Sequence, residues 1–462
     1  MKKTYSIKKM LLPLLSAAFL LSGCAGTAVN AENEEKVTDT YAGDSSEITV
    51  EENNSDSETT NIADVVLEDL FTDRDMEQEA DTEGATQISL VSGENVDIVE
   101  GGVYVISGEA IDTTIAVDVN DEKVQLVLDG VNVTNSDSQV IYVKSADKVF
   151  ITTAASTENN MLVTGEFAED DENTADAVIY SKDDCTFNGL GTLNITSSKG
   201  EGISGKDDLK FTGGTYFIKS ENDSIEANDS ICIAGGSFDI ESGKDGIHSE
   251  NDEDDTVGNV YIGGGTFVIN ASDDGIQATT STVIDGGDLD IKASEGIEGT
   301  NVIINGGNIR IEASDDGINA SEKSSLLEAQ VVINGGDITI NMASGDTDGV
   351  DTNGSIYING GKINITGNSA FDYDVEGKIN GGTVIVNGEE ITEMTYQMFG
   401  PGDGIEGFFD ERGNGDFSEG FSGEFPENGD AERPEIFGGK RPEDFQDRSG
   451  EMSEEPAWND TL

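Results

Sequence analysis

Apolar and polar side chains alternate in short runs along the central part of the chain. In one representative unit, residues 302–304, 309–313 and 318–320 each place an apolar side chain at every second position. A period of two is typical of β-strands, whereas an amphipathic helix repeats every three to four residues. Each unit therefore predicts three short strands separated by two corners.

A pair of glycines recurs at the corner between the first and the second strand of each unit. The second glycine of the pair falls at Gly214, Gly236, Gly265, Gly287, Gly307, Gly336, Gly361 and Gly382. Successive pairs are 20 to 29 residues apart, the range expected when each turn of a solenoid is one repeat. The sequence thus predicts an all-β fold of the parallel β-helix type, in which every turn pairs its backbone with the turns above and below.

Segments without periodicity flank the repeat. We expect the β-helix to occupy residues 85–395, with the looser pattern of 88–191 forming the first, atypical turns. Residues 24–84 are acidic and rich in Ser, Thr, Asn and Glu, and residues 396–462 are rich in Gly, Glu, Asp and Pro with scattered Phe. Both compositions favour disorder, as an N-terminal linker and a C-terminal tail.

The N-terminus has the layout of a secretory signal. Four lysines precede an apolar run that ends at Leu21, and this run is too short to span a bilayer. The Leu-Ser-Gly-Cys sequence at 21–24 resembles the lipobox of bacterial lipoproteins, in which residues 1–23 are removed and Cys24 receives the lipid. An ordinary signal followed by a chance cysteine is the alternative. We expect a lipid-anchored protein on the extracellular side of the cell envelope.

Only two further cysteines follow, Cys185 and Cys232. Two thiols in a chain of this length do not make a disulfide framework, so both are expected to be small buried side chains. A bridge between them is the alternative in an oxidising compartment.

The charge balance is strongly acidic. The chain has 94 Asp and Glu against 25 Lys and Arg, a net charge of −69. Nucleic acid is excluded as a partner by this sign, and an anionic membrane surface is disfavoured. Two interpretations remain, a solvated surface or a set of sites for a hard cation.

The acids recur at equivalent positions of successive units, in two columns. One column, at the corner before the third strand, contains Glu201, Asp223, Asp245, Asp274, Glu295, Asp316, Asp348 and Asp372, and the second contains Glu226, His248, Gln277, Glu298, Asn319 and Asp351. Paired strands lie about 4.8 Å apart, and two carboxylates at that distance repel by roughly 3 to 4 kcal/mol at a protein surface. A Ca²⁺ ion, with oxygen ligands at about 2.3 to 2.6 Å, spans the gap.

We therefore expect Ca²⁺ as the cofactor. The predicted ligands are Asp223, Glu226, Asp245, Asp274, Glu295, Glu298, Asp316, Asn319, Asp348 and Asp351. The alternatives are Asp-Gly turns whose acids point into water, and ladders of Asn and Asp that cap turns without a metal.

These repeats, their Asp-Gly-Ile corners and the segment VQLVLDGVNVTNSDSQVIYVKSADKVFIT resemble the carbohydrate-binding β-helix family typified by a clostridial pectin- and cellulose-binding surface protein. The resemblance covers residues 88–391. It implies a right-handed parallel β-helix with calcium bound along it, a fold similar to that of polysaccharide lyases, and an acidic polysaccharide such as pectin or polygalacturonate as the partner.

A lyase is the first alternative function, because lyases that resemble this architecture pair calcium with a Lys or Arg base. Lys199 and Lys244 precede acidic corners and are the candidates. His248 is the only histidine of the chain, so no Ser-His-Asp or Cys-His pairing can be built from any other histidine. We expect a protein that is not an enzyme.

A structural adhesin or spacer is the second alternative. The outward positions of the first strand form an apolar column, namely Cys232, Tyr261, Val283, Ile303, Val332 and Tyr357. We expect an exposed ridge that needs a cover or a partner, and Leu326 and Leu327, in an insertion at 321–330, are candidates to cover part of it. Tyr261 and Tyr357 are the predicted contacts for a neutral polysaccharide.

Overall fold

A computed structural model describes residues 70–168, 176–251, 254, 256–345 and 347–394. The predictions for the signal at 1–23, for Cys24, for the linker up to residue 69 and for the tail at 396–462 lie outside these residues. The chain divides into the units Met1–Thr72 and Asp73–Leu462, and the fold below is that of the second. None of the described residues forms a helix with the length and hydrophobicity needed to cross a bilayer.

The regular structure of the described residues consists of β-strands. In chain order they are β1 (Thr86–Ser89), β2 (Val96–Ile98), β3 (Gly102–Ile111), β4 (Ile115–Asp118), β5 (Lys123–Asn135), β6 (Ile141–Ser145), β7 (Lys148–Thr153), β8 (Glu158–Val163), β9 (Ala177–Ser181), β10 (Cys185–Gly189), β11 (Thr192–Ser197), β12 (Glu201–Gly205), β13 (Asp208–Phe211), β14 (Thr215–Ser220), β15 (Ile225–Ala227), β16 (Ser230–Ile233), β17 (Ser237–Ser242), β18 (Ile247–Ser249), β19 (Asn259–Ile262), β20 (Thr266–Ala271), β21 (Asp274–Ala278), β22 (Ser281–Ile284), β23 (Asp288–Ala293), β24 (Glu295–Gly299), β25 (Asn301–Ile304), β26 (Asn308–Ala313), β27 (Ile318–Ala320), β28 (Gln330–Ile333), β29 (Asp337–Met342), β30 (Asp348–Thr352), β31 (Ser355–Ile358), β32 (Lys362–Thr366), β33 (Ser369–Phe371), β34 (Glu376–Ile379), β35 (Thr383–Val386) and β36 (Glu389–Ile391).

The strands form three columns, in which each strand pairs in parallel with its equivalent in the next turn. The first-strand column runs from β7 through β10 and every third strand to β34, and the second-strand column runs likewise from β8 to β35. Together with β1, β3, β5 and β36 these two columns make a sheet of 24 strands. The third-strand column is a separate sheet of 12 strands, from β2 to β33. The prediction of an all-β chain built of parallel strands is confirmed, and the hand of the coil stays a prediction.

The core lies between the columns and is built from one apolar layer per turn. Each of the three strands contributes inward side chains, such as Ile304, Ile311 and Ile318 in one turn, which are fully buried. Because parallel pairing keeps the register, equivalent side chains stack, and the rings of Phe238 and Phe267 lie 4.8 Å apart at an interplanar angle of 2°. The stacked aromatic pairs each contribute about 0.5 to 1.5 kcal/mol beyond their burial.

Glycine serves two separate purposes in each turn. Gly307, the second glycine of its pair, has a φ of +99°, a conformation that side chains rarely adopt. Gly296, in the Glu-Gly-Ile corner, is required for a different reason, namely that no side chain fits there. An added Cβ would lie 2.4 Å from the carbonyl oxygen of Gly317 and 2.5 Å from Cγ2 of Ile311. The corner glycine therefore lets the third strand approach the core and the next turn.

We expect Gly296→Ala to lower the free energy of unfolding by about 1 to 3 kcal/mol, since the methyl group overpacks a backbone that pairs on both sides. Urea unfolding followed by circular dichroism measures this. Gly235→Ala is the matched control, because its Cβ would meet nothing nearer than 3.8 Å. Equal midpoints for the two variants would contradict the packing role of Gly296.

Within the N-terminal segment 73–84, residues 74–78 pack on the outward face of the first-strand column. Asp75 is fully buried, 2.7 Å from Nζ of Lys148, and the hydroxyl of Thr186 donates to the same carboxylate at 2.7 Å. The guanidinium of Arg74 lies 4.3 Å from the ring centroid of Phe150. The prediction of a disordered linker over 24–84 is therefore wrong for residues 74–78, which are held by a buried ion pair that composition did not reveal.

The predicted apolar ridge on the first-strand column is only partly exposed. Cys232 and Ile303 are buried, at 4% and 8% exposure, whereas the remaining ridge residues Tyr261, Val283, Val332 and Tyr357 are half-buried. Leu326 is 61% exposed, so the suggestion that it covers the ridge is wrong for this residue, whereas Leu327 is half-buried. Cys185 and Cys232 are free buried thiols, so no bridge joins them.

Candidate functional site

The two columns of acids predicted from the sequence lie on the third strand of each turn and on the corner that precedes this strand. Glu226, His248 and Gln277 pair in register from turn to turn, as do Glu298, Asn319 and Asp351. The corner acids follow the same stacking, and Asp274 pairs directly with Glu295. In-register parallel pairing thus brings the predicted ligands of neighbouring turns together.

Four groups of three side chains place their ligand atoms within 4.8 Å of one another. They are Glu201–Asp223–Glu226, Asp223–Asp245–His248, Asp245–Asp273–Asp274 and Asp274–Glu295–Glu298. We call these nine residues the cation ladder. Six of the predicted ligands belong to it, namely Asp223, Glu226, Asp245, Asp274, Glu295 and Glu298.

Glu201, His248 and Asp273 belong to the ladder although the sequence did not predict them as ligands. Glu201 and His248 already stood in the two columns, so the repeat contained the signal for them. Asp273 had no such signal, because it precedes the corner acid and only the bend of the chain turns it towards Asp245.

The first part of the ladder is organised around His248. Its Nδ1 lies 3.2 Å from Oδ2 of Asp223 and 3.4 Å from Oδ2 of Asp245, and its Nε2 lies 3.4 Å from Oε2 of Glu250. Burial lowers the pKa of His248, but the hydrogen bond with Asp223 and the charges of Asp245 and Glu250 outweigh it, and the pKa is raised. The three surrounding acids therefore favour the protonated form of the imidazole.

The second part of the ladder carries its own donors. Glu298, only 5% exposed, accepts at Oε2 from Nζ of Lys323 at 2.9 Å and from Gln277 at 2.8 Å, and at Oε1 from Ser321 at 2.9 Å and from Asn319 at 3.4 Å. Four donors match the four acceptor positions of a carboxylate. This carboxylate is therefore satisfied by the protein itself.

The remaining predicted ligands Asp316, Asn319, Asp348 and Asp351 form no further group of three within the described residues. Oδ1 of Asp316 accepts from the backbone N–H of Asp348 at 3.0 Å. In the described part of the chain, Oδ1 of Asn319 is buried without a hydrogen-bond partner, and an orphaned buried acceptor is costly. These four residues continue the same two columns of oxygen ligands, but their atoms are more widely spaced than those of the ladder.

Burial dominates the electrostatics of these acids. It raises the pKa of Glu295 and of Asp316 to about 7, and that of Asp245 and of Asp351 to about 6, with neighbouring carboxylates adding to the effect. Burial and then the charge of neighbouring acids hold the pKa of Asp274 still higher. Several ladder acids therefore bear protons near neutral pH when no cation neutralises them.

The donor set suits a hard cation. Apart from His248, every ladder ligand offers carboxylate oxygen, the ligand type that Ca²⁺ prefers over softer metals. The orphaned Oδ1 of Asn319 adds a neutral oxygen of the same class. The residues present therefore fit calcium, with Asp223, Asp245 and Asp274 shared between adjacent groups.

The two predicted sugar-contacting tyrosines lie on a different face, on the first-strand column. Tyr261 donates its hydroxyl to Asp285 at 3.0 Å, and Tyr357 donates to Glu376 at 3.3 Å, each one turn further on. The ring of Tyr261 lies over Gly263, whose added Cβ would meet it at 2.9 to 3.3 Å. Four turns of about 4.8 Å separate the two tyrosines, so they do not form one compact site.

An amide ladder borders these tyrosines and was not predicted. Asn305 donates to Asp285 at 2.7 Å, and each further asparagine donates to the one before it at 2.7 to 2.8 Å, through Asn334 and Asn359 to Asn380. The recurring Asn-Gly-Gly sequence at these corners could have predicted the amide ladder. The face thus combines an apolar column with a row of exposed amides.

The comparison with known protein families identifies the family of this chain. The family model described as "Carbohydrate-binding domain-containing protein" matches residues 92–349 and 293–406, more than half of the chain. The chain belongs to this carbohydrate-binding domain family. The matched region contains the whole cation ladder, both tyrosines and the amide ladder.

Two known proteins are similar to parts of this chain. A "Carbohydrate-binding domain-containing protein" of Acetivibrio thermocellus is 42% identical over 134 residues, which are 28% of this chain and 46% of that protein, so the match spans less than half of the relative. A solved structure, the "polysaccharide lyase-like protein from C. thermocellum" as a gadolinium derivative, is 26% identical and covers 64% of this chain and 100% of that chain. Its TM-score of 0.39 is too low to support a conclusion about function.

Proposed function

We propose that this member of the carbohydrate-binding domain family binds acidic polysaccharide, of the polygalacturonate class, through calcium ions held on the cation ladder, and that it does not cleave the chain. The observation that carries the proposal is the ladder itself, four overlapping acidic groups in consecutive turns. The family supports a carbohydrate as the ligand. The regular spacing of the groups suits a polymer that repeats its carboxylates.

The charge of the protein explains why a cation is needed. At a net charge of −69 the chain repels a polyuronate, and salt screens this repulsion only in part. Calcium takes six to eight oxygen ligands, of which a ladder group supplies about three, so uronate oxygens can complete the shell. Many weak contacts along the ladder then add up on a long chain, and short oligosaccharides bind far less well.

The proposal includes the surroundings predicted from the sequence. The strands coil with the right-handed sense that parallel connections favour. The protein is exported, loses residues 1–23, and is held on the extracellular side of the envelope by a lipid on Cys24.

The state of the lysine at the ladder supports the proposal that the protein does not cleave the chain. A lyase needs a deprotonated base beside the cation. Burial lowers the pKa of Lys323, but its bond to Glu298 and the neighbouring acids outweigh this and raise the pKa. Lys323 is therefore poorly suited to accept a proton. Lys199 and Lys244, the bases considered for a lyase, are exposed.

A second surface for neutral polysaccharide is favoured by the tyrosine face. The ring of Tyr261 rests on Gly263 and is fixed by its bond to Asp285, so it offers a preset stacking platform. Val283, Ile303 and Val332 continue the apolar column to Tyr357. The amide ladder alongside supplies hydrogen-bonding groups at each turn.

We expect polygalacturonate to retain the protein in a pull-down with calcium, and retention to fall at least tenfold in chelator, because the bridging cations are lost. Asp245→Asn should weaken retention in calcium, since Asp245 belongs to two ladder groups. Exposed Asp290, on the second-strand column, gives the matched control Asp290→Asn. Retention that is unaffected by chelator would refute cation bridging.

The same samples separate the competing functions. Ultraviolet absorbance of unsaturated uronides should stay at the level of a buffer blank, and its appearance would establish a lyase. Retention on cellulose that survives chelator and is lost in Tyr261→Ala would assign neutral chains to the tyrosine face. Failure to bind either polymer would favour a structural spacer.

A further inference from the structure

An insertion between β27 and β28 brings one lysine to the cation ladder. Its start is fixed, because the backbone N–H groups of Lys323 and Ser324 donate to the hydroxyl of Thr300 at 3.2 and 2.8 Å, and Ser324 is 1% exposed. From this anchored backbone the side chain of Lys323 reaches Glu298, with Nζ 2.9 Å from Oε2. The anchored backbone therefore places the ammonium group at the ladder, although the side chain of Lys323 is 31% exposed.

The ammonium group enters the last of the four acidic groups. Glu298, Asp274 and Glu295 have ligand atoms within 4.8 Å of one another, and all three act electrostatically on Lys323. Gln277 bridges Asp274 and Glu298, and Asn319 bridges Glu295 and Glu298. The charge of Lys323 thus offsets one of the three carboxylates, and the two amides supply further donors to a group that would otherwise call for an ion.

The other large insertion, between β18 and β19, does the opposite. It brings an acid, Glu250, to within 3.4 Å of Nε2 of His248. That insertion adds negative charge to the group Asp223–Asp245–His248. Two insertions at equivalent corners therefore differ in the sign of the side chain that each delivers to the ladder.

We propose that Lys323 is the resident cation of the group Asp274–Glu295–Glu298 and takes the place that a divalent ion holds in the earlier groups. The inference rests on the proposed function, in which calcium binds the ladder. It divides the ladder into groups that bind calcium and one group that the chain itself has closed. The insertion at 321–330 thereby sets how many ions the ladder binds and where the row of ions ends.

The test is the calcium stoichiometry of Lys323→Met, which keeps the apolar stem and removes the charge. We expect equilibrium dialysis to find one more calcium ion per chain than in the unaltered protein. In chelator the variant should melt at least about 5 °C lower, since a buried carboxylate loses its partner, and calcium should restore the midpoint. Lys292→Met is the matched control, because Lys292 is exposed and lies on the second-strand column, and it should change neither quantity.

A second variant identifies the new site. In Lys323→Met/Glu298→Gln the extra ion should disappear, because the group loses the carboxylate that Lys323 had neutralised. Should Lys323→Met fail to fold, Lys323→Gln keeps a donor for Glu298 and serves instead. An unchanged number of ions in the lysine variants overturns the inference.

A failure of the proposed function can be distinguished from a failure of this inference. If the proposed function is wrong, the unaltered protein binds no calcium at any concentration tested. The number of calcium ions bound by Lys323→Met is then compared with zero. Binding of one ion by the variant still supports the role of Lys323, whereas binding of none overturns it.

Discussion

A strong chelator is expected to lower the melting temperature of the protein by about 10 to 20 °C at pH 8. Each ion that binds only the folded state stabilises it by about 2.7 kcal/mol at a hundredfold excess over the dissociation constant. The ladder has three groups without a lysine, so about three such contributions add. An unfolding entropy of about 2.1 cal/mol/K per residue makes each kcal/mol worth roughly 1.5 °C for a domain of somewhat over 300 residues. Differential scanning calorimetry with calcium and with chelator measures the shift.

The pH dependence of the chelated protein provides an independent check. The pKa of Glu295 and of Asp316 is about 7, and that of Asp245 about 6, because of burial and then of neighbouring acids. Unfolded carboxyl groups titrate near 4, so between about pH 4 and 7 the folded state binds more protons. Stability in chelator should therefore fall as the pH rises through these values.

Calcium should flatten this dependence, because it replaces the protons as the neutralising charge. Melts at pH 5, 6, 7 and 8, with and without calcium, compare the two slopes. Equal slopes, or a chelated protein that gains stability as the pH rises, would mean that the acids are solvated and that the ladder holds no ion.

The second large effect is expected at the buried ion pair of the N-terminal segment. Asp75→Ala should lower the free energy of unfolding by about 3 to 5 kcal/mol, because Lys148, whose side chain is 9% exposed, loses its carboxylate partner. Thr186 loses an acceptor as well. Chemical denaturation gives the free energy, and limited proteolysis shows whether the segment 73–84 detaches from the first-strand column.

A double variant distinguishes the lost pair from lost packing. Asp75→Asn/Lys148→Met removes both charges while keeping similar volumes, and it should recover most of the stability lost by Asp75→Ala. A loss as large in the double variant as in Asp75→Ala would assign the effect to packing of the segment. The expected detachment should also expose Phe150, which is 1% exposed beneath Arg74.

The sequence by itself determined the strands, the corners and the two polar columns. This was possible because the repeat is local, with alternation marking each strand and glycine marking each corner. Parallel pairing in register then fixes the neighbours of every residue one turn away. Asp274 and Glu295, 21 residues apart, could be placed side by side for that reason alone.

Only the tertiary structure decided what departs from the repeat. Lys323 and Glu250 reach the ladder from insertions whose paths depend on contacts such as that of Ser324 with Thr300. Asp75 contacts Thr186, 111 residues away, from a segment whose composition favours disorder. No period relates these residues to their partners, because their positions result from long-range packing and from the pairing of buried charges, which a local pattern does not encode.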